Sequence, residues 1–322
     1  YVIQQGWGQL SLAHRQVELD DPEVSEGLTD AQRANLEWVP KILEFGRQEL
    51  DLTPGDSYTT FLDTEGKPIS HIVIAAHPRA LLQYQWCFPF VGCVAYKGYF
   101  DDEDAASLKS RLDEDGWDVA LLPVGAYSTL GWFRDPVLSS MLDRSLPGLV
   151  ELLLHEVVHR TIYYPNSTTV NESLATHVAR EATKRFFEKH PDACTKEEWE
   201  NYSKRHEMID ADRVLLERLR WDLARLYAEP LPDEEIDARK AELFEAAKHA
   251  RSLLFGNSAD LPASNAYVLS SSNYSKLIPV FARLQEDLGG EPRRLMAYLI
   301  EEKERTGSYP DAVRDALRPK SQ

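Results

Sequence analysis

The sequence has no apolar run of about 18 residues, so it holds no segment long and apolar enough for a membrane-spanning helix. No basic n-region with an apolar stretch stands at its start either. The chain opens at Tyr1 without an initiator Met, and the expectation is a mature form whose export signal has been removed. Positive charge is scarce: 36 Lys and Arg stand against 53 Asp and Glu, a net −17. That balance argues against nucleic acid or anionic lipid as a main partner. The three cysteines allow at most one internal bridge, which excludes a disulfide-built scaffold.

With 322 residues, 43% of them hydrophobic, the chain can bury a full core. The expectation is a single domain over 1–322 with a helical hairpin inserted at 207–254. The hairpin is read from two charged periodic segments, Glu207–Tyr227 and Glu234–Leu254, on either side of Glu229-Pro230-Leu231-Pro232-Asp233. Alternating charges mark a solvated helix face, with a lid or docking arm as the functional alternative. Toward the start, a helix is expected from about Thr29 to Leu50. Strand-like pieces follow at Ser57–Leu62, Ile69–Ala75, Leu81–Phe90, Gly92–Phe100 and Val119–Val124, with a helix at Asp101–Glu114. Pro136–Asp143 reads as a short helix, and Ser145 with Pro147 opens a longer one by cap and first-turn proline.

That longer helix carries the chemistry. His155-Glu156-Val157-Val158-His159 places two imidazoles four residues apart, on one helical face, where both reach a single metal ion. Glu156 is rotated roughly 100° from His155, beside the position where a water would lie. Zinc with three protein ligands keeps a fourth place for water, and a neighbouring carboxylate can take that water's proton and deliver it to a leaving amine. The third ligand is sought downstream. Tyr163–Thr169 is turn-like, with Pro165 stopping the first helix, so a second helix beginning near Val170 can return Glu172 to the metal. Glu181, His177 and Glu151 are rivals, Glu151 being better placed to support His155 from behind. Leu149, Val150, Leu152, Leu153, Leu154, Val157 and Val158 supply the apolar surroundings of a buried site helix.

The sequence resembles the bacterial "putative aminopeptidase" family. The resemblance rests on Gln5-Gly6-Trp7-Gly8-Gln9-Leu10, Trp86–Cys93, Tyr96–Phe100, Gly125–Phe133 with Asp135-Pro136, the HEVVH and Asn171–Thr176 segments, and Asn265-Ala266 with Tyr274 and Pro279-Val280-Phe281. It implies an α+β, zincin-like metallopeptidase of gluzincin type: a mixed β-sheet above the HExxH helix, the Glu-bearing helix below, one Zn2+ per chain and a peptide or protein substrate. It also implies a periplasmic or envelope-associated protein with a lipid anchor on a Cys upstream in the precursor. In that oxidising setting Cys87 and Cys93, flanking Phe88-Pro89-Phe90-Val91-Gly92, are expected to form a disulfide, leaving Cys194 over.

Two further roles follow from such chemistry. An edge strand beside the cleft would pair with substrate backbone, and Tyr127, Ser128 and Thr129 are the candidates; packing of Trp132 and Phe133 into the core is the plainer reading. An oxyanion needs a donor opposite the metal, for which Tyr274 is the candidate, with Tyr163, Tyr127 and Tyr267 competing. Aminopeptidase and endopeptidase activity both stay open, since the Gly-x-Met-Glu-Asn amine-gripping motif of alanyl aminopeptidases is absent. The alternatives are an envelope scaffold with a structural zinc and a latent endopeptidase activated by a partner. Glu156 and the count of three ligands speak against the scaffold.

Overall fold

The computed structural model of the protein describes residues 15–66, 69–88, 92–124, 134–256 and 261–318. In chain order its elements are β1 (Val17–Glu18), α1 (Pro22–Glu26), α2 (Asp30–Leu50), β2 (Thr60–Leu62), β3 (Ser70–Ala76), β4 (Trp86–Phe88), β5 (Gly92–Val94) and β6 (Lys97–Tyr99). Then come α3 (Asp102–Glu114), β7 (Asp118–Val124), β8 (Val137–Leu138), α4 (Ser139–Leu142), α5 (Leu146–Thr161), α6 (Thr168–Lys189), α7 (Lys196–Tyr227) and α8 (Asp233–Phe255). The chain closes with α9 (Asn265–Ser271), a 3-10 turn (Ser272–Tyr274), α10 (Ile278–Asp287), α11 (Pro292–Thr306) and α12 (Asp311–Leu317). The fold is α+β, 63% helix with small mixed sheets. Among the described residues no helix is long and apolar enough to cross a membrane.

Two compact units emerge, one from residues 1–68, 125–202 and 274–322, the other from 69–124 and 203–273. The first is built around α5. Ser145 caps this helix by accepting from the Gly148 N–H at 3.4 Å, and Pro147 fits its first turn, where no intrahelical donor is needed. Leu149, Val150, Leu153, Leu154, Val157 and Val158 are all buried, so α5 is covered on most of its circumference. Helix α2, opened by a Thr29–Gln32 capping box, approaches α5 at Gly46. A Cβ at Gly46 would stand 3.3 Å from Leu154 Cδ2, so the absent side chain permits the closeness of the two helices. Helix α6 packs on α5, and its Phe186 meets Phe45 of α2 edge-on at 5.2 Å.

The sheet of this unit is small. β1 runs antiparallel to β2 and β2 parallel to β8, with Phe61 opposite Val137 and Leu62 opposite Leu138. The segment Pro136–Asp143, expected as a helix, therefore opens as a strand. Its Val137 and Leu138 are buried by pairing with residues far back in the chain, which leaves only Ser139–Leu142 helical.

In the second unit β6, β3 and β7 form an antiparallel sheet with β3 central. Ala105, Leu108 and Leu112 of α3 cover it, packed with Val73, Ala75, Tyr99 and Val119. The expected long strands Leu81–Phe90 and Gly92–Phe100 are not continuous. β4 and β5 instead make a separate hairpin in which Cys87 faces Cys93 and is bonded to it, while β6 joins β3. Helix α7 starts eleven residues earlier than Glu207, at Lys196. α7 and α8 pack through Leu216, Leu219 and Leu223 against Phe244 and Ala247. Asn265 is fully buried: its Nδ2 donates to the carbonyls of His77 at 2.9 Å and Pro78 at 3.1 Å, and its Oδ1 accepts the Tyr227 hydroxyl at 2.9 Å. That completes the hydrogen bonding of a buried amide, so Asn265 is a structural residue.

Candidate metal centre

α5 and α6 are joined by residues 162–167, and this short return brings His155, His159 and Glu172 together. The Ile162 N–H closes α5 on the Val158 carbonyl at 2.9 Å. Asn166 takes a left-handed conformation at φ 58°, turning the chain after Pro165. Asn171, one residue before Glu172, then clamps the return. Its Oδ1 accepts the Tyr164 N–H and its Nδ2 donates to the Tyr164 carbonyl, both at 2.8 Å. The asparagine amide thus replaces the backbone partner that a β-bridge would have supplied.

Three donor atoms converge. His155 Nε2 and His159 Nε2 are 3.1 Å apart, and Glu172 Oε2 lies 3.3 Å from the first and 3.4 Å from the second. A tetrahedral zinc with nitrogen and oxygen ligands at about 2.0–2.1 Å sets those ligands about 3.3–3.4 Å from one another. The observed triangle has nearly that edge, and two imidazoles with one carboxylate suit a borderline divalent ion. The donor set therefore fits zinc.

Electrostatics at the centre are dominated by burial and by these three groups. Burial pushes the Glu172 carboxyl upward, but its bonds to His155 and His159 outweigh that and bring it down to about 2. Burial lowers His155, yet the Glu172 bond and the charges of Glu156, Glu172 and Glu151 more than compensate, so its proton affinity rises. Glu156 is buried on α5, and desolvation raises its carboxyl above the usual range despite both histidines; Glu172 and Asp135 add to the rise. A carboxylate with raised proton affinity on the helix that carries two of these donors is suited to take a proton.

Comparison with known proteins decides the family. The family described as "Putative aminopeptidase" matches residues 1–316. The chain belongs to that family. No curated protein and no solved structure matches it.

Within this member of that family the rival donors lie elsewhere. Glu181 pairs with Lys184 at 2.7 Å, and His177 Nε2 is bonded to Gln285 Oε1 at 2.9 Å. Glu151 Oε1 stands 3.9 Å from Arg180 Nε. Its negative charge still reaches His155 from one turn back. Tyr127, Ser128 and Thr129 lie outside the described residues, as does the Tyr274 side chain, although its backbone ends the 3-10 turn before α10. Tyr267 is in the other unit, its ring under the Arg251 guanidinium. Tyr163 is under the influence of the Glu172 charge.

Two parts of the site's frame were not anticipated. One is Asn171, whose signal was an amide placed in the first turn after Pro165-Asn166-Ser167. The other is a hydrogen-bonded chain that ends on Asp135, whose charge acts on Glu156. Arg160 Nη1 donates to Ser57 Oγ at 3.1 Å, and Ser57 Oγ donates to Asp135 Oδ2 at 3.3 Å, with Ser57 and Asp135 both buried. Nothing local in the sequence links Ser57, Asp135 and Arg160, because strand pairing of β2 with β8 brings the first two together.

Proposed function

We propose that the protein is a zinc-dependent peptidase with a zincin-like, gluzincin-type centre: His155, His159 and Glu172 hold the metal and Glu156 is the general base. The observation that carries this reading is the triangle of donors, 3.1, 3.3 and 3.4 Å on its edges, with Glu156 on the next position of the same helix. When bound, zinc at such a three-ligand centre lowers the pKa of water to about 7 and polarises a carbonyl.

The chain's own residues supply the rest. Glu156 removes a proton from the attacking water as its oxygen bonds to the scissile carbonyl carbon. As the C–N bond breaks, Glu156 returns that proton to the leaving nitrogen, so one peptide bond and one water become a carboxylic acid and an amine. The Asp135 charge disfavours a second negative charge on Glu156, which strengthens the base. The family's description favours removal of amino-terminal residues as the activity.

The test combines metal analysis with digestion of a peptide mixture read by mass spectrometry. Wild type is expected to hold near one zinc per chain and to cleave, with products that separate amino-terminal trimming from internal cuts. Glu172→Ala is expected to lose the metal, and Glu156→Gln to keep metal and fold while losing turnover by about 10²-fold or more. Full activity in Glu156→Gln, or zinc-free wild type after reconstitution, defeats the reading.

A further inference from the structure

Helix α7 turns one side toward α8 and leaves the other uncovered among the described residues. Leu216, Leu219 and Leu223 are buried against α8. On the opposite side, positions 210, 214, 217 and 218, 221 and 225 recur every three or four residues and so form one stripe. Val214 is 71% exposed and Trp221 60%, which puts two large apolar side chains in water on a single helix face. Removing such surface from water is favourable, and tryptophan is enriched among the residues that anchor protein contacts.

The stripe is also ordered by charge. Asp210 stands at its N-terminal end, Arg225 at its C-terminal end, Glu217 and Arg218 at the middle, with one apolar residue in each half. Read backwards, such a stripe is its own complement. An antiparallel pairing that sets Val214 against Trp221 of a second copy also sets Asp210 against Arg225 and Glu217 against Arg218, each pairing occurring twice, as a two-fold axis requires. The exposed Arg225 makes no ion pair with a described residue. Asp210 bonds Arg213 at 2.9 Å, and a carboxylate can accept further donors. Next to the axis, Arg218 is met by its own Asp222 at 2.8 Å. Arg220 holds Glu217 at 3.0 Å and stands 5.7 Å from the Trp221 ring centroid, which limits the freedom these side chains lose on association.

We propose that the outward face of α7 is an isologous interface through which two copies of this chain associate, antiparallel, about a two-fold axis between Glu217 and Arg218. It is independent of the peptidase reading. The contact brings acid to base although each whole chain carries −17. From Asp210 to Arg225 the helix runs about 23 Å at 1.5 Å per residue. A contact this short falls at the small, transient end of protein interfaces, so the dimer forms across micromolar concentrations.

The experiment is sedimentation velocity on the full chain from about 1 μM to about 200 μM. Wild type is expected to pass from monomer to dimer, and Trp221→Ala to raise the dimer Kd about 10²-fold or more. Asp210→Arg and Arg225→Asp are each expected to raise it about tenfold or more, since every dimer then holds two like-charge contacts. Combining both reversals restores each pair with its signs exchanged and is expected to return Kd to near the wild-type value. The altered side chains lie outside the α7–α8 contact, so unfolding midpoints of dilute samples are expected within about 2 °C of wild type. Wild type that stays monomeric throughout overturns the proposal and leaves the face to some other occupant. A dimer that Trp221→Ala leaves intact overturns it too, as does a double reversal that associates no better than the single ones. The charge exchange decides the matter even where Trp221→Ala fails to fold.

Discussion

Replacing Asn171 by Ala removes a side chain that does nothing chemical and is expected to damage the protein more than most substitutions. The amide makes two bonds of 2.8 Å to the backbone of Tyr164, and both residues are about 2% exposed. Alanine would leave a buried N–H and a buried carbonyl without partners, each costing about 1–3 kcal/mol. Together that is about 4 kcal/mol, which at about 2–4 °C per kcal/mol corresponds to a midpoint lower by about 10 °C. Asn171→Asp separates the two bonds. A carboxylate still accepts from the Tyr164 N–H but cannot donate to its carbonyl, so roughly half of the loss is expected. Thermal unfolding followed by circular dichroism, with urea titration to check that the slope is preserved, measures both variants. An Asn171→Ala midpoint within 1 °C of wild type, or an Asp variant as damaging as Ala at low pH where its carboxyl is neutral, would refute the reasoning.

Two further expectations concern stability alone. His177 is buried against Gln285, and desolvation holds its proton affinity below the usual value of 6.5. The unfolded chain therefore takes up the proton first, so this group's contribution is complete above about pH 6.5 and declines as pH falls through that value toward its folded pKa. Urea unfolding at pH 8 and pH 5 should show a smaller acid loss in His177→Gln than in wild type, and equal losses would contradict this. Gly55 adopts φ 59°, and a Cβ there would stand 2.3 Å from Arg160 Nη2. Gly55→Ala is expected to lose about 2 kcal/mol from the left-handed backbone and the displaced guanidinium. In an Arg160→Ala background the loss should be smaller, and identical losses in both backgrounds would exclude the clash.

What could be read from the sequence was mostly what is local. His155 and His159 share a face because helical spacing makes them, and Ser145 with Pro147 marks the start of α5 in its own residues. The return of Glu172 was legible because a Pro-bearing turn separates two helical patterns. The sheets were not legible in the same way. β8 lies in a stretch that suits a helix by itself, and only its partner β2, far upstream, makes it a strand. The single mixed sheet implied by family resemblance is replaced by three small ones among the described residues, since β4 and β5 pair with each other and leave the β6–β3–β7 ladder. The start of α7 was legible and was overlooked. Thr195 and Glu198 form a reciprocal cap, with Thr195 N–H on Glu198 Oε2 at 2.7 Å and Glu198 N–H on Thr195 Oγ1 at 3.2 Å.

The short return between α5 and α6 also bears on how a metal would couple to folding. Closing a small loop costs little chain entropy, and each doubling of its length adds only about 0.6 kcal/mol. His155, His159 and Glu172 lie close enough in sequence that an ion could gather them in the unfolded chain at a small entropic cost. An ion that binds the unfolded ensemble as well as the native state stabilises the native state by less than its affinity implies. Zinc should then raise the unfolding midpoint only modestly for its affinity, and chelation should silence the centre without dismantling the molecule.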